Sequence, residues 1–159
     1  MPSSGLAYKA IIEWLDNSTA KTIIDLGSGW GNIVIRLAKD YPNRQVVGYE
    51  LSFLPWLTSL ILKKSLGLSN LTIYRKNFYQ ARFPTNSILI CYLFPQAMQK
   101  INDKLRREKS SINMLISNNF ALPSWQADTT VRMNDFYRSY IYCYQLKNKA
   151  IDNNSLIYR

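Results

Sequence analysis

Thr22-Ile23-Ile24-Asp25-Leu26-Gly27-Ser28-Gly29-Trp30-Gly31-Asn32 is the stretch on which the fold turns. Apart from Asp25, its first five residues are apolar or β-branched, the composition of a strand buried on both faces. Three glycines at alternate positions then permit a tight turn and let a ligand approach the backbone closely. Beyond them Ile33, Val34, Leu37 and Ala38 share one helical face, while Arg36, Lys39 and Asp40 lie off it. A second apolar strand, Val46-Val47-Gly48-Tyr49, ends in Glu50. The order strand, glycine loop, helix, strand and acid describes a βαβ unit of the kind that holds a nucleoside-bearing cofactor.

The charge of the loop selects the cofactor. A dinucleotide fingerprint reads Gly-x-Gly-x-x-Gly, with a helix N-terminus facing a pyrophosphate. Here the third glycine comes one residue early, and Asp25 stands two residues before the first. A carboxylate there is badly placed beside a pyrophosphate and well placed beside a cation. S-adenosylmethionine (SAM) carries an ammonium and a sulfonium. Asp25 is expected to balance that charge while Gly27, Ser28, Gly29 and Gly31 line the amino-acid end. Glu50 is expected to take both ribose hydroxyls, with Leu51 beside it. Asn77 is a candidate acceptor for the adenine amine, with the Phe78 amide opposite a ring nitrogen. Asn77 can equally serve only to shape a turn.

Composition agrees with one domain. Residues 1–148 are read as a single unit, with an N-terminal helix or lid over 1–20, a sheet core over 21–146 and a tail over 149–159. Apolar residues make up 47% of the chain, which excludes disorder. No apolar run has the length of a membrane span, the longest being strand-sized or broken by Lys63 and Lys64. Met1-Pro2-Ser3-Ser4-Gly5 lacks the features of a signal peptide. Cys91 and Cys143 read as buried thiols of a reducing, cytoplasmic setting. The absence of histidine removes the usual catalytic triads and most zinc sites, and no metal is expected. A formal charge of +10 suggests an anionic neighbour, whether nucleic acid, lipid surface or acidic protein, without naming it. Lys100, Lys104 and Arg107 read as the solvated face of a helix opposite Met98, Ile101 and Leu105, with Asp103 and Arg107 at pairing distance.

The remaining elements follow from breakers and periodicity. Helices are expected over 6–16, from the glycine loop to about Asp40, from Ser52 to Gly67, and from Phe94-Pro95 to about Lys109. Strands are expected at 21–26, 45–49, 71–75, 87–93 and 112–117, with an antiparallel hairpin at 129–134 and 139–146 around Asn134-Asp135-Phe136-Tyr137. The fold class is α/β, a doubly wound, mainly parallel, seven-stranded sheet closed by that hairpin. Ligands of such sheets sit beyond the carboxyl ends of the strands. That rule selects the glycine loop, Glu50-Leu51, Asn77-Phe78 and Tyr92 to Pro95.

Thr22 to Glu50 resembles the first motifs of class I, seven-β-strand SAM-dependent methyltransferases. Val47-Gly48-Tyr49-Glu50-Leu51, Pro55-Trp56-Leu57, Arg75-Lys76-Asn77-Phe78, Tyr92-Leu93-Phe94-Pro95, Lys104-Leu105-Arg106-Arg107-Glu108 and Ile116-Ser117 through Phe120 to Gln126 resemble one branch more narrowly. That branch holds small archaeal protein-lysine methyltransferases and mitochondrial relatives that act on the adenine nucleotide translocase and the ATP synthase c-subunit. The resemblance implies N-methylation of protein lysines, on a substrate that is acidic or membrane-associated. Asp25, Gly27, Gly29, Gly31, Glu50 and Asn77 would be SAM contacts, with Tyr92 to Pro95 facing the transfer site. Trp30-Gly31-Asn32 departs from a common Asp-Gly-Arg and puts the side-chain roles there in doubt. The chain starts too near the domain to hold the membrane-associated segment of the mitochondrial relatives, so that targeting is not expected to carry over.

Tyr92, also expected to touch the cofactor, Phe94 and Asn118 are the candidate substrate-positioning residues, with Tyr8, Trp125 and Asn119 as further candidates. Aromatic walls would tolerate a methylated ammonium by cation–π attraction. The competing readings are an RNA or small-molecule methyltransferase and a SAM-binding module without catalysis. Against the first, no Asn-Pro-Pro-aromatic sequence and no Pro-Cys pair is present.

Overall fold

The computed structural model describes residues 5–108, 112–134 and 138–147, and of Glu108 only its place in a helix. The expected turn at 135–137, the end of the helix at Lys109 and the tail after 148 lie outside the described residues. The chain runs α1 (Gly5–Asp16), β1 (Thr22–Leu26), α2 (Asn32–Asp40), β2 (Gln45–Tyr49), α3 (Phe53–Ser65) and β3 (Leu71–Tyr74). It continues through a single 3₁₀ turn (Phe78–Gln80) into β4 (Ser87–Cys91), α4 (Pro95–Glu108), β5 (Met114–Asn118), β6 (Thr129–Arg132) and β7 (Tyr140–Gln145). The strands form one sheet in the order β3-β2-β1-β4-β5-β7-β6. The first five are parallel, and β7 runs antiparallel between β5 and β6.

Alternation along the strands divides the core in two. Ile23, Val46, Ile88, Ile90 and Ile116 pack with Tyr8, Ile11 and Leu15 of α1 and Val34 and Leu37 of α2. Ile24, Leu26, Val47, Leu89 and Leu115 face the other way, toward Met98, Ile101 and Leu105 of α4. Helices on both faces explain why β1 and β4 are buried almost without interruption. The order reverses between β1 and β4, so the switch-point crevice opens above Leu26 and Cys91.

Polar ties hold the helices in register. Tyr8 donates its hydroxyl to Asp40 at 2.7 Å, and the Arg36 guanidinium lies 3.7 Å from the Tyr8 ring centre, joining α1 to α2. Arg44 donates to the carbonyls of Leu15 and Ser18, supplying donors to the end of α1. Gly67, at φ +63°, ends α3 in a Schellman motif, with Leu68 N–H bonded to the Lys63 carbonyl and Gly67 N–H to that of Lys64.

Two expectations about α4 fail. Lys104 is 1% exposed, not solvated, and its ammonium donates to the carbonyls of Tyr79 and Ala81 at 3.2 and 2.6 Å. Those carbonyls belong to the loop that replaces a helix between β3 and β4, and the lysine satisfies acceptors that the loop leaves over. Asp103 accepts from Gln99 rather than pairing with Arg107. The ion pair found among the described residues is Arg36–Asp40 at 3.9 Å. Ser52 begins α3 without a side-chain cap.

Candidate active site

The glycine loop is clamped to the strand beside it. Gly27 and Ser28 both donate to the Tyr49 carbonyl, at 3.0 and 2.8 Å, and Gly31 donates to that of Ser28 at 2.9 Å. All three glycines have positive φ, which L side chains rarely adopt. Their uses differ. A Cβ on Gly29 would meet nothing within 4 Å, so the loop is open there to a ligand. A Cβ on Gly31 would lie 2.5 Å from the Ser59 hydroxyl, so this glycine lets α3 pack against the start of α2. Gly31 is buried and does not line the cleft described next. That packing role stands beside the expected one as a cofactor contact.

A cleft of about 360 Å³ lies over the switch point, lined by Asp25, Gly27 to Trp30, Asn32, Ile33, Ile90 to Tyr92, Asn118 and Ile11. Asp25 is 5% exposed, and among the described residues its carboxylate has neither a hydrogen-bond donor nor an ion-pair partner. Burial pushes its carboxyl up to about 7, and the charge of Glu50 adds to the rise. A buried carboxylate without a counter-charge calls for a cation. Ser28 contributes a buried hydroxyl with no partner. The first turn of α2 lines the same cleft, and its N-cap, Gly31, provides no side-chain acceptor. Its free N–H groups suit an anion. A carboxylate and an uncapped helix start lining one cleft fit the ammonium and carboxylate of an amino acid.

Glu50 links the loop to the next strand. One carboxylate oxygen accepts from Gly29 N–H at 2.9 Å and the other from Ser52 N–H at 2.7 Å. Each oxygen retains a lone pair for a hydroxyl donor. Leu51 is 60% exposed and lines a second, larger cleft of about 850 Å³ with Asn77, Tyr49, Tyr74 and three basic residues, Arg75, Lys76 and Arg82. Asn77 accepts from Tyr79 N–H at 3.0 Å and so starts the 3₁₀ turn. Its turn-shaping role is therefore realised, and one lone pair remains for an adenine amine. The Phe78 side chain is buried against Tyr79, and Phe78 is not among the residues lining either cleft.

The substrate-side candidates separate. Tyr92 lines the smaller cleft, half-exposed, and its hydroxyl accepts from the Asn119 amide at 3.2 Å. Asn118 lines it too, and the side-chain carbonyls of Asn118 and Asn119 are both buried without partners. Phe94 is 61% exposed at the rim and does not line the cleft. Tyr8 is buried and held by Asp40. Trp125 donates to Asn102 of α4 at 2.8 Å and packs in the core on that side. Neither Tyr8 nor Trp125 forms a channel wall. Ile11 reaches the cleft unforeseen, while Trp30 and Asn32, the two departures in the loop, both line it. Cys91 touches the cleft, but burial pushes its thiol up to about 12, so it is no nucleophile at neutral pH. Among the described residues no cluster of side chains could hold a metal ion.

Comparison with known proteins turns this geometry into an assignment. A model of the ANTKMT methyltransferase domain matches residues 25–129, from the cleft carboxylate to the start of β6. The chain belongs to the ANTKMT methyltransferase family. It is 30% identical over 131 residues to the ATP synthase c-subunit lysine N-methyltransferase of Xenopus laevis, covering 80% of this chain and 56% of that one. It is 34% identical over 107 residues to the adenine nucleotide translocase lysine N-methyltransferase of Mus musculus, covering 65% and 45%. The chain thus spans about half the length of these curated relatives. An RNA methyltransferase from Salinibacter ruber, solved with S-adenosylhomocysteine (SAH), superposes with a TM-score of 0.80. That match covers 96% of this chain and 98% of the other at 22% identity, and it establishes the methyltransferase fold.

Proposed function

We propose that this family member transfers methyl groups from SAM to lysine side chains of a protein. The observation that carries the cofactor reading is the unpaired, buried Asp25 carboxylate facing an open glycine backbone. Asp25 would hold the ammonium end, the first turn of α2 the carboxylate, Glu50 the ribose, and Leu51, Asn77 and the Phe78 amide the adenine. SAM supplies an electrophilic methyl group. The residues of the chain do the rest by placement and by exclusion of water. Asn118 and Asn119 offer two buried carbonyl acceptors to the N–H groups of an incoming neutral amine. Tyr92 orients Asn119 through its hydroxyl and presents an aromatic wall to that amine and to its methylated product. Phe94 stands outside, where it can touch the peptide around the lysine.

The lysine acceptor is supported by the names of the relatives, both lysine N-methyltransferases. The buried, protonated Cys91 and Cys143 fit a reducing, cytoplasmic setting. Labelled SAM and a cell lysate, with and without nuclease, test the acceptor. Label retained on protein and mapped to lysine by mass spectrometry is expected. Label lost with nuclease assigns the acceptor to RNA, and no transfer despite SAH binding leaves a cofactor-binding module.

A further inference from the structure

Helix α3 has an outer face unlike those of its neighbours. α2 and α4 turn Arg36, Lys39, Lys100, Asp103 and Arg107 to solvent, as surface helices do. In α3 the fully buried side chain is the small Ser59. Leu54, Leu57 and Ile61 form one line at i, i+3 and i+7 on the opposite side, with Phe53 beside it. Leu54 is 65% exposed and Ile61 57%. An apolar stripe of this size on an outer face marks a contact surface.

Charge indicates what it meets. Between Glu50 and Asp103 the chain has no acidic residue and six basic ones, Lys63, Lys64, Arg75, Lys76, Arg82 and Lys100. Cations stand at both ends of the stripe. Arg75 bonds to the Leu51 carbonyl and lies over the Phe53 ring at 5.2 Å, while Lys64 is exposed in the last turn. Thirteen residues make a helix too short to cross a bilayer, and none of the described helices is long and apolar enough to do so. A stripe of aliphatic residues with cations at both ends suits the layer between acyl chains and anionic headgroups. A symmetric contact with a second copy would set like charges against each other, and phosphodiester backbones give aliphatic side chains nothing to bury against.

We propose that the outer face of α3 lies flat on an anionic phospholipid bilayer, with Leu54 and Ile61 in the interfacial layer and Lys64 and Arg75 toward lipid phosphates. This places the carboxyl edge of the sheet, where α3 begins, beside the membrane surface. It needs no N-terminal anchor, and it stands or falls separately from the methyl-transfer reading. The test is co-sedimentation of the full chain with vesicles of phosphatidylcholine, alone or with about 30% phosphatidylserine. The bound fraction should rise at least about fivefold with phosphatidylserine and fall as salt is added. Leu54→Glu with Ile61→Glu should remove most of that binding while the SAH-induced melting shift stays unchanged, which shows an intact fold and cofactor site. Lys63→Glu with Lys64→Glu should abolish the lipid preference. Absence of binding at physiological salt overturns the proposal, as does binding indifferent to the Leu54 and Ile61 changes. A dimer that those changes dissolve would assign the face to a second copy, and competition by RNA that abolishes vesicle binding would assign it to nucleic acid.

Discussion

Two clefts open beside Glu50, and their charges are opposite. The smaller is built around one buried carboxylate, Asp25, with no cation among the described residues that line it. The larger carries Arg75, Lys76 and Arg82 and no acid. Glu50 joins them, bonded to Gly29 of the first and next in sequence to Leu51 of the second. A cofactor with a positive end and an uncharged base can lie across both only in one direction, cation toward Asp25. The basic side chains of the larger cleft then remain for an anionic neighbour. The sign of charge, more than the number of glycines, distinguishes this site from a dinucleotide site.

The largest expected effect separates the two clefts directly. Asp25→Asn should weaken SAM binding by about a hundredfold, the order expected when a buried charge loses its partner. Arg82→Ala should change it less than about twofold, since an exposed cation contributes little beside an uncharged base. Titration calorimetry measures both. Equal losses would erase the distinction.

The next effect is one of pH. Asp25 has a carboxyl raised to about 7 in the free protein, and a bound cation favours its ionised form. Binding below pH 7 must therefore expel a proton, and affinity should fall by about tenfold per pH unit. Because the folded value lies above the unfolded one, Asp25 favours the ligand-free fold at low pH. That contribution is lost as pH rises through about 7. Asp25→Asn should flatten both dependences.

Smaller effects sharpen the roles within the loop and the wall of the larger cleft. Gly31→Ala should cost about 1–3 kcal/mol of stability, because its Cβ meets Ser59 in a left-handed conformation. Gly29→Ala meets open space and should cost about 1 kcal/mol from backbone strain alone, while SAM affinity falls. Chemical denaturation and SAH titration separate the two. Lys104→Met should cost about 1 kcal/mol by stranding the Tyr79 and Ala81 carbonyls, with a few-fold loss of SAM affinity through the loop that carries Asn77.

The unit from Thr22 to Glu50 was legible because its elements are local: period, glycines and acids all fall within one βαβ crossover. The succession of strands along the chain, the last two included, followed from runs of apolar residues bounded by breakers, with ends displaced by up to two residues. The insertion of β7 between β5 and β6 could not be read, because the pairing of an antiparallel strand depends on partners distant in sequence. Lys104 was misread for a related reason. Helical periodicity places it beside Lys100, but its burial is decided by the carbonyls of a loop on another element. Tyr8 and Trp125 failed as channel walls because aromatic identity carries no direction. Asn118 and Asn119 were named only as candidates for steering the amine, and their unpaired carbonyls needed coordinates. The outward apolar face of α3 was not read, because a helix rich in apolar residues does not show which of them the core covers.

The most direct test of the cation-holding cleft is a thermal melt at pH 8 of the wild type and Asp25→Asn, each with and without SAM. In the wild type SAM should raise the melting temperature. In Asp25→Asn that rise should vanish while the ligand-free protein melts at the same or a higher temperature, since an unpaired buried charge has been removed. An equal SAM-induced rise in both proteins would contradict the assignment of Asp25 as the counter-charge.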